Sequence, residues 1–132
     1  MRALVETVDG VFELDLELNE VLDFDPGGSL PRSGPLDLPL PGVVAADAHG
    51  STLIAVVERR PPLVASYDAG VTWTETGGGL PPGRAVAIAS DNPDLVLFAA
   101  RNRLYLSSDG GRFWSALALE LPEIRGVDLT EA

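Results

Sequence analysis

Two octapeptides hold the side chains best placed for chemistry. Ser66, Asp68, Gly70 and Trp73 lie in SYDAGVTW, and Ser107, Asp109, Gly111 and Trp114 lie in SSDGGRFW, so S-x-D-x-G-x-x-W occurs twice, 41 residues apart. A carboxylate beside a hydroxyl could take part in catalysis or hold a metal. The spacing fits a turn better: a short Asp carboxylate accepts backbone N–H groups across a tight turn. Glycine suits positive φ, and a tryptophan opening the next strand can bury its ring against a neighbouring sheet. Both aspartates are therefore expected to be structural.

The second candidate is a set of arginines. Arg84 and Arg125 occupy equivalent places in the repeat, while Arg59, Arg60, Arg101 and Arg103 fall in turns expected at the same end. Guanidinium groups bind carboxylate or phosphate bidentately, so these six are expected to receive a small anion or an acidic sugar, or else to pair with nearby Asp and Glu. Other chemistry has thinner support. Glu123 and Asp128 could form a hydrolytic carboxylate pair, but an acidic chain offers many such pairs. Asp91, Asn92 and Asp94 form a turn cluster with weak calcium character. His49, in AHGST, reads as an exposed loop residue. No metal site and no cofactor is expected.

Composition narrows the class. The 132 residues carry a formal charge of −11, with nine basic residues that are all Arg. Such a chain repels phosphate backbones, which argues against nucleic-acid binding. The absence of Cys excludes a thiol nucleophile or a disulfide, and one histidine makes a Ser-His-Asp triad improbable. No apolar run approaches the ~18 residues of a membrane span, and MRALVETVDG does not read as a signal peptide; a cytoplasmic protein is expected. With 14 Gly and 11 Pro spread throughout, many short strands are expected rather than long helices.

The elements that must position these residues form a repeat. LPPGRAVAIAS (80–90) returns as LPEIRGVDLTE (121–131), again 41 residues on, with an earlier, looser copy in LPGVVAAD (40–47). Each full unit reads as four strands, A to D, running from inside to outside. Unit two spans 42–76, with strands at 42–47, 52–57, 62–67 and 71–76. Unit three spans 84–119, with strands at 84–90, 95–100, 103–107 and 113–119. Unit one, 3–25, supplies only B, C and D. In it, Phe12, Leu14, Leu16 and Leu18 alternate with Glu13, Asp15 and Glu17, a period-2 pattern. The segment 125–131 is a strand A with nothing after it. A linker at 26–41, rich in Pro and Gly, joins units one and two as a surface excursion or a loop reaching over a ligand.

A 40–45-residue repeat of several strands suggests a propeller blade. The motif and its flank AIASDNPDLVLFAARNRLYLSSDGGRFW (87–114) resemble the Asp-box (BNR) repeat propellers, in the sortilin, xyloglucanase and sialidase style. The resemblance covers residues 40–119. The first unit is similar instead to a quinoprotein-type hairpin, with Leu16 where the Asp would fall. The resemblance implies an all-β propeller of four-stranded antiparallel blades and says little of function, since such blades serve enzymes, receptors and scaffolds. A glycosidase is the alternative it raises. Sialidases resemble one another in an arginine triad, a Tyr–Glu nucleophile pair and an acid Asp; here Tyr67 lies inside the octapeptide and Tyr105 is the only other tyrosine. A non-enzymatic binding or scaffold protein is the expectation.

Three blades do not close a ring, since propellers have about four or more. An open wedge is expected to expose two large apolar faces and to leave the last strand A unpaired. Two chains would give six blades. The expectation is therefore a homodimer in which residues 125–131 complete the partner's first blade, with twelve guanidinium groups on one rim.

Overall fold

The computed structural model describes residues 1–31 and 38–131. Part of the 26–41 linker therefore lies outside the described residues. The described residues form twelve strands and no helix. They are β1 (Arg2–Thr7), β2 (Gly10–Asp15), β3 (Glu20–Pro26), β4 (Val43–His49), β5 (Thr52–Val57), β6 (Leu63–Ser66), β7 (Thr74–Thr76), β8 (Ala85–Ala89), β9 (Asn92–Ala99), β10 (Arg103–Ser107), β11 (Ser115–Glu120) and β12 (Ile124–Thr130). They make three four-stranded antiparallel sheets, ordered β12-β1-β2-β3, β4-β5-β6-β7 and β8-β9-β10-β11; we call these blades 1, 2 and 3.

Blade 3 lies in the middle. Its inner strand β8 packs against β4 on one flank and β12 on the other. All five residues of β8, AVAIA, are buried: a strand covered on both faces reads as a continuous apolar run, and small side chains let three inner strands approach one another. One core joins blades 1 and 3 through Val5, Leu14, Leu97, Leu104, Ile124 and Leu129. The other joins blades 2 and 3 through Ile54, Val56, Leu63, Val86, Val96 and Phe98.

In this chain β12 fills the place in the first blade that was expected of a partner's residues 125–131. It lies antiparallel to β1 of its own chain, with Ala3 opposite Leu129, Leu4 opposite Asp128 and Val5 opposite Val127. The order of the blades explains this. Blade 1 follows blade 3 around the wedge, so the chain leaving β11 arrives beside its own β1. The linker makes that order possible. Sixteen residues, 27–42, separate β3 from β4 and reach up to ~50 Å when extended, enough to carry the chain past the central blade.

The two outer faces are not equally apolar either. On blade 1, the residues that alternate with buried Ala3 and Val5 are Arg2, Leu4 and the buried Glu6, and opposite them stand Asp15, Glu13 and Val11 on β2. Arg2 pairs with Glu13 at 3.3 Å. With Arg2, Glu13 and Asp15 on it, that face is more polar than the outer face of blade 2. On blade 2 the outer face is apolar, with Ala55, Val57 and Val64, and the linker's Leu38 and Leu40 pack on it beside Trp73. The linker is thus partly a cover for the sheet.

Candidate functional site

Both octapeptides form closed hydrogen-bond networks. In blade 2 the Ser66 hydroxyl donates to Asp68 Oδ1 (2.8 Å) and accepts the Gly70 N–H (2.8 Å). Asp68 also accepts from the Thr72 N–H (2.9 Å) and hydroxyl (2.5 Å). In blade 3 Ser107 donates to Asp109 Oδ1 (2.7 Å) and accepts the Gly111 N–H (2.9 Å), while Arg112 and Phe113 donate their N–H groups to the same carboxylate oxygen. Gly70 and Gly111 have φ of 91° and 96°, a region that favours glycine. Bonds to the charged form lower a carboxyl pKa. The Thr72 hydroxyl and N–H, with Ser66, hold Asp68 down at about 2. The Phe113 N–H and the Ser107 hydroxyl hold Asp109 below the usual range. Each carboxylate is an acceptor at the centre of a turn, with Oδ1 taking two or three of the turn's hydrogen bonds.

The blade 3 turn is also a joint. Tyr67 of blade 2 donates its hydroxyl to Gly110 O (2.9 Å), and the Thr76 hydroxyl donates to Gly111 O. The Arg112 guanidinium lies over the Tyr67 ring, 4.4 Å from its centroid. Burial raises the Tyr67 pKa, with Arg112 opposing and Asp109 adding to the shift. Trp114 meets Phe98 edge-on at 6.0 Å in the core between blades 2 and 3. Trp73, at the same motif position, instead lies half-buried on the outer face of blade 2. Blade 1 lacks the octapeptide, yet Asp15 Oδ1 accepts the N–H groups of Glu17 (3.0 Å) and Leu18 (3.1 Å). The turn carboxylate therefore exists there, one residue before Leu16. The acidic residue beside the expected position was the signal; Tyr67 and Thr72, at variable positions of the motif, had none.

The structure divides the six arginines. Arg84 and Arg101 come together on Glu123, at 3.9 and 3.2 Å, and Arg103 pairs with Glu120 at 2.9 Å. Among the described residues Arg59, Arg60 and Arg125 make no ion pair. Arg59 and Arg60 occupy the β5–β6 turn. Arg125 lines a shallow cavity of about 190 Å³ with Glu6, Leu30 and Pro31, and there buried Glu6 accepts the Leu30 N–H at 2.7 Å.

The remaining candidates separate. Glu123 precedes β12 and Asp128 lies within it. At ~3.3 Å per extended residue they stand roughly 16 Å apart, beyond the ~5–9.5 Å that glycoside hydrolysis requires. Asp128 and Asp47 line an axial cleft of about 520 Å³ with Leu4, Leu30, Val86 and Val127, but Asp47 is already bonded to the Ile88 N–H (2.7 Å) and Asp128 to that of Leu129 (2.9 Å). Asn92 and Asp91 bond to Glu131 at the end of the chain's described part. His49 contacts Ser90 O at 3.2 Å and so joins the inner strands of blades 2 and 3.

Three blade-like sheets packed around shared inner strands define a β-propeller, and comparison with solved structures agrees. "YCF48 bound to D1 peptide" matches with a TM-score of 0.51 and 19% identity, over 93% of this chain and 38% of that one. The likeness is one of fold, and this chain spans little more than a third of that neighbour's length. No protein-family model matches the chain, and no curated protein matches it.

Proposed function

We propose that the chain is a β-propeller binding or scaffold module whose B–C-turn end receives an anionic group of its partner, with no reaction of its own. The observation that carries this reading is Arg59–Arg60: two adjacent guanidinium groups without an ion pair among the described residues, on a chain of charge −11, where carboxylates hold Arg84, Arg101 and Arg103. YCF48 bound to a D1 peptide is a precedent for the architecture. Calorimetric titration with sulfate, phosphate, and sialic or uronic acids tests the reading. Millimolar or tighter binding, lost in Arg59→Ala/Arg60→Ala, is expected. No binding, or binding unchanged in the double variant, overturns it.

A homodimer is the second reading, carried by Trp73, whose face on blade 2 has no neighbouring blade. A six-bladed ring would lay that face on a partner's Arg2, Glu13 and Asp15, and burying such charges costs several kcal/mol per ion. The dimer we propose joins two Trp73 faces about a twofold axis. Light scattering at twice 13.9 kDa, falling to the monomer in Trp73→Glu, is expected; a monomer at 100 µM overturns it.

A further inference from the structure

Arg60 is one wall of a groove that the turn network does not use. The groove lies between blades 2 and 3, holds about 620 Å³, and is lined by Arg60 and Pro61 from the β5–β6 turn, Gly78, Leu80 and Pro82 from the β7–β8 connection, and Tyr105 from β10. Its shape follows from the connection that crosses it. At Gly83 an added Cβ would come within 2.4 Å of the Phe98 ring and 2.7 Å of Val56, so a glycine there lets the chain dive between the blades. The stretch before it, GGGLPP (77–82), stays outside as a lip. The Tyr105 ring is held from behind by Phe98, 5.9 Å away. Its hydroxyl makes no hydrogen bond among the described residues.

We propose that this groove binds an extended peptide segment in which an acidic side chain lies next to an apolar or prolyl residue. The assignment rests on the reading above that the arginine end takes an anion, and it names the anion's source. The floor of Pro, Leu and Tyr offers flat apolar area at little entropic cost. At its edge Arg60, which makes no ion pair among the described residues, offers a fork of donors that matches a carboxylate. The chain's own charge of −11 repels a polyanion such as nucleic acid, whereas one or two carboxylates on an apolar strand match the Arg60 guanidinium at the rim and the apolar floor beside it.

The test uses a fluorescein-labelled library of ten-residue peptides built from Glu, Leu and Pro, a matched library with Gln for Glu, and inorganic phosphate. Anisotropy with the acidic library is expected to give saturable binding, weakened about tenfold or more by Arg60→Ala and partly restored by Arg60→Lys. Gly78→Leu is the blocking variant. A Cβ at Gly78 meets no atom within 4 Å and its φ is not in the left-handed region, so the new side chain occupies groove space without straining the fold. It is expected to abolish peptide binding with an unchanged melting temperature and unchanged phosphate binding. Peptide binding that survives Gly78→Leu overturns the groove while the anion reading stands. Equal binding of the Gln library overturns the acidic class. Failure of both peptide and phosphate to bind overturns the groove and the anion reading together.

Discussion

Closure of blade 1 by its own β12 can be trapped covalently. Leu4 and Asp128 are opposed in the antiparallel β1–β12 ladder, and directly opposed residues have Cα atoms ~4.5–5.5 Å apart, inside the ~4.4–6.8 Å that a disulfide spans. The natural chain has no cysteine, so Leu4→Cys with Asp128→Cys creates a single possible pair on a water-facing surface. Within one chain, the bond would close a loop of ~125 residues. Loop-entropy arguments give about 5 kcal/mol as the upper bound of its stabilisation. For a domain of 132 residues, each kcal/mol moves the midpoint by roughly 3–4 °C, so the oxidised protein is expected to melt up to ~20 °C higher, a gain that reductant removes. Non-reducing electrophoresis after oxidation at 1 µM is expected to show a monomer of increased mobility. Disulfide-linked dimers as the main product would refute intrachain closure and restore strand exchange. No cross-link of either kind would refute the register.

Three further outcomes follow from the packing and the turns. Phe98 is fully buried between Tyr105 and Trp114, so Phe98→Ala is expected to cost about 3–5 kcal/mol in urea unfolding; a loss under ~1 kcal/mol would mean that blades 2 and 3 do not share this core. Gly83→Ala, which drives a methyl into the Phe98 ring, is expected to lower the melting temperature, and Gly78→Ala is not; equal melting of the two would contradict the close approach. Asp68 is held at about 2, below its unfolded value of ~3.9, so its contribution is complete above pH ~4 and is lost as pH falls towards 2. Carbon-detected NMR titration should show that low value and a rise in Thr72→Val. An ordinary Asp68 value would show that the network does not form in solution.

Some of this was legible because it is local. Alternation in FELDLEL and β-rich runs between Gly and Pro clusters identify strands, since which face a side chain takes is decided two residues away. The all-β class and three four-stranded sheets were readable on that basis. The octapeptide was equally legible as a turn, because its Ser, Asp and Gly bond within four residues of one another. The role of Asp15 was not legible in this way, because the motif's register points to Leu16, one position too late. For Arg84 and Arg101 the sequence left open an anion or a neighbouring carboxylate, and the structure places Glu123, distant in sequence from both, between them.

Sequence therefore determined the strands, the turns and the repeat, whose physics acts over a few residues. Tertiary structure alone decided which blade stands in the middle, which chain supplies β12, and which tryptophan is enclosed. Those outcomes rest on contacts between segments up to 128 residues apart, such as Arg2 with Thr130, and on how far a 16-residue linker reaches. Trp73 and Trp114 occupy the same place in the same motif. Trp114 is enclosed because blade 2 lies against its face, and Trp73 is left at the flank because Leu38 and Leu40 cover only part of it.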